Sequence, residues 1–431
     1  MFEPADEFSD QPLTAGQRTG FWRVSAVAAM VSLALPTFVV GIEVGQDVGG
    51  LQGSAVIYLG SLVIFVIAAV MGFIGAQTGL SSYLLVKVAF GPGGAAVVNL
   101  AFALSLVGWF GINVNLLGLA VDELVAAVYE RSVPPWFTTM AATAAIIATT
   151  VLGFRAINTL SLLLAPVLVV VCGFLLVAAL EADLESILTT GRQGALGMGD
   201  GISAIVGSII VGAIIMPDIT RFLHRPVEAI WVSALAFVLV QPLVMVIALT
   251  ASYAMDTDDV VSLMVGAGLG IGALLIVIFG SWILNALNLY SAGLGFKATF
   301  PSVSSVGSLL AIGALGAVAG LLNVLEQFAD FLFYLSVVFT PVAGIIVVDW
   351  WWVRPARYRE DNIDGGQTSN ASNGWGLMSW GIGSIYAIAA AEAVVGSLTG
   401  AATLDAMCLS GCLYGIGEKC RSGGGQRADR Y

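Results

Sequence analysis

The positive charges are distributed very unevenly along this chain. Of its 16 Lys and Arg residues, 14 lie in alternate gaps between long apolar stretches, and only Arg131 and Arg192 lie in the other gaps. Cytoplasmic loops of inserted membrane proteins collect positive charge in this way. The pattern predicts a polytopic protein of the plasma membrane with both termini in the cytoplasm.

Composition agrees with this prediction. The chain has 431 residues, of which 58% are hydrophobic and 10% charged, so it has too little polar surface to close a water-soluble globule. A helix needs about 20 apolar residues to cross a bilayer. We predict twelve such segments, numbered 1 to 12: 22–44, 53–76, 95–121, 136–154, 157–180, 201–217, 229–253, 264–292, 304–322, 328–350, 375–398 and 400–416.

The segments divide the chain into regions. A cytoplasmic tail covers 1–21, a ten-helix core covers 22–350, and a cytoplasmic loop covers 351–374. Two peripheral helices follow within 375–416, and 417–431 form a second cytoplasmic tail.

The predicted outer loops are strongly acidic. They carry nine acidic residues: Asp122, Glu123, Glu130, Glu181, Asp183, Glu185, Asp256, Asp258 and Asp259. Adaptation to high salt explains a net charge of −12, and so does attraction of cations to an outer vestibule. Both accounts stay open. Nucleic acid is not expected as a partner, because no basic patch exists outside short loops.

Two corresponding segments contain residues that interrupt helices. In segments 1 and 6 these residues are Pro36, Gly41, Gly45, Gly207, Gly212 and Pro217. Secondary transporters built from two inverted repeats break corresponding helices at a central binding site. The placement predicts two five-helix repeats followed by two additional helices.

Five short motifs carry a specific resemblance. They are Gly75-Ala76-Gln77-Thr78-Gly79-Leu80, Gly108-Trp109-Phe110-Gly111, Asp218-Ile219-Thr220-Arg221-Phe222, Leu289-Tyr290-Ser291-Ala292-Gly293-Leu294-Gly295-Phe296 and Pro341-Val342-Ala343-Gly344-Ile345-Ile346-Val347-Val348-Asp349. With these motifs the chain resembles the nucleobase:cation symporter-1 family, and cytosine permeases most closely. The resemblance implies an all-α fold of the LeuT type, with substrate bound between segments 1, 3, 6 and 8.

The resemblance also implies a set of binding positions. Trp109 matches the tryptophan that stacks on the base in cytosine permeases, and an aromatic ring contributes about 1–3 kcal/mol to such stacking. The other substrate-binding positions are Leu106, Gly108, Ser208, Ile209, Gly280 and Asn285. At Leu106, Ile209 and Gly280 the family has glutamine, phenylalanine and asparagine, so the expected pocket is more apolar, and cytosine itself is in doubt.

The coupling ion is less clear from the sequence. Two threonines of the family's sodium site fall on Ile283 and Leu284, which have no hydroxyl oxygen to offer a hard cation. Sodium bound by Ser281 or Asn285, a proton carried by Glu43, and transport without an ion all stay open. Asn288 lies one turn after Asn285, and each amide either lines the cavity or joins helices.

Asp218 and Arg221 are three residues apart at the inner end of segment 6, where they can pair on one helix face. Their expected role is an inner gate or a structural clamp. No motif for a metal, a cofactor or nucleophilic catalysis is present, and no filter-like segment suggests a channel. The sequence therefore predicts a secondary-active importer of a nucleobase or a similar planar nitrogen heterocycle, with Na⁺ or H⁺ as coupling ion. The alternative is transport of another small solute on the same fold, proton-coupled or facilitative.

Overall fold

The computed structural model describes residues 12–13, 15–180, 196–266, 268, 270–300, 302–322, 328–358, 372–392 and 394–428. Arg192 and the predicted outer acids Glu181, Asp183 and Glu185 lie outside these ranges. In an apolar bilayer a chain has to satisfy its backbone hydrogen bonds internally, which favours helices. Among the described residues, the only β-type pairing is an isolated bridge between Thr19 and Leu223.

The described chain forms a series of α-helices. The first half contains α1 Phe21–Val31, α2 Leu35–Val48, α3 Gly50–Thr78, α4 Ser82–Tyr129, α5 Pro135–Val151 and α6 Phe154–Leu180. The second half contains α7 Met198–Ile214, α8 Pro217–Thr220, α9 Pro226–Ala234, α10 Gln241–Met255, α11 Val260–Gly266, α12 Ile271–Leu275, α13 Ser281–Thr299, α14 Ser305–Leu321 and α15 Phe328–Val348. The last helices are α16 Gly374–Ala391 and α17 Ala402–Ala428.

Some helices contain π-helical turns or lead into 3-10 turns. A π-helical stretch, Leu235–Val240, joins α9 to α10, and another, Ile276–Gly280, joins α12 to α13. A third π-helical stretch, Asp349–Val353, follows α15 and leads into the 3-10 turn Pro355–Tyr358. A π turn adds one residue and rotates the face that the following residues present.

Fewer helices than the predicted twelve are long and apolar enough to span a membrane. Within the described ranges, six helices are long and apolar enough to cross a bilayer, and eight if each bent pair counts as one span. Several boundaries also differ from the prediction: α4 starts at Ser82 with a kink at Gly91, α16 ends at Ala391, and α17 continues past 416 to Ala428. The twelve spans and the two five-helix repeats stay predictions.

Segment 1 is interrupted as predicted, whereas segment 6 has only a short break near its end, and Met198–Thr220 still counts as one span. α1 and α2 meet at an angle of 52° across residues 32–34, and α7 stops at Ile214 before Pro217 starts α8. In segment 1 the break precedes Pro36, whereas Gly41 and Gly45 lie inside the continuous helix α2.

These two glycines have a packing role. A Cβ atom added at Gly41 would lie 2.6 Å from the Met245 Cα atom, and one added at Gly45 would lie 2.6 Å from Leu249. Such close approach between helices requires small residues. Segment 1 therefore packs tightly along α10.

A buried polar cluster fixes the last helix to the core. The Asp349 carboxylate is fully buried and accepts hydrogen bonds from Arg354 at 2.7 Å, Tyr358 at 2.8 Å and Tyr414 at 2.7 Å. Arg354 also donates to the carbonyl oxygen of Ala89 in α4 at 3.0 Å. Burial, together with the neighbouring Asp349 charge, raises the pKa of Tyr358 well above its usual value, so its hydroxyl stays a donor.

Candidate functional site

A central cavity lies where the two helix breaks face α4 and α13. The break in segment 1 contributes Val31, Pro36 and Thr37, and the break in segment 6 contributes Ile215 and Met216. Its lining is mostly apolar, with a few polar groups. Small-molecule sites in proteins commonly combine these two features.

Two aromatic rings reach this cavity from different helices. Trp109 lies in the middle of α4 with 8% of its surface exposed, and Leu106 lines the cavity one turn before it. Phe237, in the π-helical stretch of segment 7, lines the cavity as well and is 3% exposed. The cavity can therefore offer a flat ligand a second ring besides Trp109.

Three polar side chains line the same cavity. Thr37 follows the break in segment 1, Ser208 lies in α7, and Asn288 lies in α13. The Ser208 hydroxyl donates to the carbonyl oxygen of Ile205 at 2.8 Å, which leaves its oxygen able to accept. The side chains of Thr37 and Asn288 form no hydrogen bond with any described residue. Edge groups of a ligand could bind to them.

The positions predicted from the resemblance divide into two groups. Leu106, Trp109, Ser208 and Ile209 line the cavity. Three others do not, namely Gly108, Gly280 and Asn285.

Gly280 lies against the break in segment 1. A Cβ atom built at this position would be 2.7 Å from the Leu33 carbonyl oxygen and 3.2 Å from the Ala34 Cα atom. Both are backbone atoms. The contact excludes an asparagine side chain in this arrangement of the two helices.

Two candidate coupling residues are buried one turn apart on α13. Within the described part of the chain, neither the Ser281 hydroxyl nor the Asn285 amide has a hydrogen-bond partner. Buried polar groups are costly unless they gain a partner. Ion binding at Ser281 and Asn285 therefore stays a prediction.

Glu43, the candidate proton carrier, lies elsewhere. Its side chain is exposed on α2, close enough to Asp47 for their charges to interact. It does not line the central cavity. Proton coupling through Glu43 also stays a prediction.

Asp218 and Arg221 are both fully buried, and each has a partner on another helix. The Asp218 carboxylate accepts hydrogen bonds from the backbone and the hydroxyl of Ser82, both at 2.8 Å. Arg221 donates to the Tyr290 hydroxyl at 2.7 Å. The two residues therefore connect the C-terminal end of segment 6 to the start of α4 and to α13.

Sequence reasoning did not identify Phe237. It lies in an apolar run of segment 7, where no periodic signal separates a cavity residue from a core residue. Of the two asparagines on α13 the sequence favours Asn285, whereas the structure places Asn288 at the cavity. The two asparagines lie one turn apart on α13, so their spacing alone does not show which of them reaches the cavity.

Comparison with known proteins finds a matching protein family. Residues 18–417 match the family model described as permease for cytosine/purines, uracil, thiamine, allantoin. A cytosine permease from Escherichia coli O157:H7 is 25% identical over 348 residues, which cover 80% of this chain and 81% of the relative. The cytosine permease of Escherichia coli strain K12 is 24% identical over the same shares.

Solved structures share the fold. Mhp1, a nucleobase-cation-symport-1 family transporter, was solved in a closed conformation with bromovinylhydantoin bound. The comparison of this chain with that structure gives a TM-score of 0.79 at 17% sequence identity and covers 94% of this chain and 93% of that one. Its inward-facing conformation gives a TM-score of 0.76 at 17% identity over 96% and 93%. A Na⁺-coupled sialic acid symporter gives 0.68 at 13% identity over 95% and 91%.

Proposed function

Because the chain belongs to the family of permeases for cytosine and purines, uracil, thiamine and allantoin, it is a multi-pass membrane transporter and not an enzyme, and we propose that it imports a planar nitrogen heterocycle. The proposed substrates are nucleobases and related rings such as hydantoins. We place this transport in the plasma membrane, with both termini in the cytoplasm, as the distribution of Lys and Arg suggests.

One observation carries this proposal: Trp109 and Phe237 both line a mostly apolar cavity at the two helix breaks. Stacking on an aromatic ring needs only a flat π face, so it suits several heterocycles. Hydrogen bonds to ring edges would then come from Thr37, Ser208 and Asn288. Because Leu106 and Gly280 occupy positions where cytosine permeases have glutamine and asparagine, we expect this site to discriminate less sharply among heterocycles than cytosine permeases do.

We further propose an alternating-access mechanism. The broken helices of segments 1 and 6 would rock with segments 2 and 7 against the helices that carry Trp109 and Asn288. Asp218 and Arg221 would act as an inner gate, since each bonds to a helix of the other group. Na⁺ at Ser281 and Asn285, or H⁺ at Glu43, would couple this movement to an ion gradient.

Ligand-dependent thermal stability tests the binding step. A compound that binds only the folded state raises the apparent melting temperature. We expect the purified protein to be stabilised by at least one compound of a panel of nucleobases and hydantoins, and the shift to disappear in Trp109→Ala. Trp136→Ala is the matched control, because Trp136 is 61% exposed and lies outside the cavity.

The same measurement separates the coupling ions. If the thermal shift depends on sodium and this dependence disappears in Ser281→Ala, the sodium site is supported. If the shift depends on pH and this dependence disappears in Glu43→Gln, the proton site is supported. No shift with any planar heterocycle, while Trp109 is intact and the protein is folded, would refute the substrate class.

A further inference from the structure

A second pocket lies at the end of the molecule where α1 starts and α5 turns into α6. Its lining is mostly polar and includes Arg18, Arg23, Arg155 and Asn158, together with Leu152. Three arginines at one pocket give it a strong positive potential. The central cavity shares none of these residues.

The wall formed by the N-terminal segment is held in place by the protein itself. Arg18 donates to the carbonyl oxygens of Ala76 at 3.1 Å and Leu223 at 2.8 Å. The Thr19 amide donates to the carbonyl oxygen of Phe222 at 2.6 Å. This part of the pocket is therefore organised before any ligand binds.

Two of the three arginines remain open to a ligand. Arg23 and Arg155 are exposed, and neither forms an ion pair with a residue in the described ranges. A guanidinium group binds phosphate through two parallel hydrogen bonds, which makes arginine well suited to such ligands.

Asn158 is an independent sign that the pocket takes a polar ligand. Its side chain is 4% exposed, and its Oδ1 atom has no hydrogen-bond partner among the described residues. Because Oδ1 is an acceptor, it calls for a donor such as a hydroxyl group. Phosphate next to a hydroxyl is the chemistry of a glycerol phosphodiester headgroup.

The surroundings favour a lipid over a soluble phosphate. Trp22 is 75% exposed next to Arg23, and Leu152 is 62% exposed at the pocket. Exposed tryptophan is typical of the interface between membrane and water. Arginines at that depth bind anionic headgroups, while the apolar residues contact the acyl chains.

We propose that this pocket binds an anionic phospholipid with a hydroxyl-bearing headgroup, such as phosphatidylglycerol. Arg23 and Arg155 hold the phosphate, and the headgroup hydroxyl donates to Asn158 Oδ1. The bound lipid connects the start of α1 to the corner between α5 and α6. This inference is independent of the transported substrate.

Native mass spectrometry of the full chain in detergent tests the inference. The purified protein is titrated with phosphatidylglycerol, phosphatidylcholine, phosphatidic acid and inorganic phosphate. We expect phosphatidylglycerol to bind about tenfold more tightly than phosphatidylcholine, and this preference to vanish in the double variant Arg23→Gln/Arg155→Gln. Both side chains are exposed, so the variant should fold.

Controls identify the contribution of each group. Arg225→Gln/Arg421→Gln removes the same charge from exposed positions outside the pocket and should keep the preference. Asn158→Ala should remove the advantage of phosphatidylglycerol over phosphatidic acid, which lacks the headgroup hydroxyl. Equal binding of phosphatidylglycerol and phosphatidylcholine, or an unchanged preference in Arg23→Gln/Arg155→Gln, would overturn the proposal. Displacement of the lipid by millimolar inorganic phosphate would overturn the assignment to a lipid.

Discussion

Replacing Gly280 by alanine tests how closely α13 packs against the break in segment 1. Gly280 has ordinary helical dihedrals, φ −61° and ψ −49°, so alanine introduces no backbone strain there. The added Cβ atom would lie 2.7 Å from the Leu33 carbonyl oxygen and 3.2 Å from the Ala34 Cα atom. These backbone atoms cannot rotate away as a flexible side chain could.

Two effects of opposite sign determine the outcome. Helix propensity favours alanine over glycine by about 1 kcal/mol. Overpacking costs about 1–3 kcal/mol, and here the upper part of that range applies because the contacts are with backbone. We therefore expect Gly280→Ala to lower the free energy of unfolding by about 1–2 kcal/mol.

Thermal unfolding of the detergent-purified protein measures this effect. Gly381→Ala in α16 is the matched control, since a Cβ atom at that position would meet nothing within 4 Å. The control should be as stable as the unmodified protein or more so, and Gly280→Ala should melt at a lower temperature. If both variants are equally stable, the close contact with Leu33 is wrong.

Three further predictions concern other parts of the molecule. Asp349→Ala leaves the largely buried Arg354 guanidinium without its carboxylate, which should cost about 3–5 kcal/mol of stability in the same assay. A loss below about 1 kcal/mol would show that the buried polar cluster does not fix the last helix. Phe237→Ala should weaken binding of a stabilising heterocycle about tenfold by isothermal titration, and unchanged affinity would remove this ring from the site. Asp218→Asn should raise the exchange rate of backbone amides at the start of α4, because Ser82 loses a charged acceptor. Hydrogen–deuterium exchange measures this rate. Unchanged protection would show that the contact with Asp218 does not stabilise the start of α4.

Much of the architecture could be predicted from the sequence, because bilayer insertion is a strong physical constraint. Apolar length indicated that the chain is helical, and Pro36 and Pro217 lie within a few residues of the ends of helices. Trp109 was predicted for the binding site because it matches the tryptophan that stacks on the base in cytosine permeases. In the structure Trp109 lines the central cavity, and its contact with a substrate stays a prediction.

Other features depend on contacts that a sequence does not reveal. Phe237 reaches the cavity through the packing of segment 7, and apolar residues in a membrane helix carry no signal of which face is inward. Asn285 and Asn288 lie one turn apart on α13, and only the packed structure shows that Asn288 is the one at the depth of the cavity. The pocket at Arg23 and Arg155 joins residues far apart in sequence, and only the folded chain brings them together.

Uptake into proteoliposomes tests the central claim most directly. The labelled heterocycle would be the panel compound that gives the largest thermal shift, offered with an inward Na⁺ gradient, an inward H⁺ gradient or neither. The account predicts saturable uptake that exceeds equilibrium with one of the two gradients, is lost in Trp109→Ala and is retained in Trp136→Ala. Uptake of the heterocycle no faster than in empty liposomes, with the protein folded and the lipid phosphatidylglycerol present, would contradict it.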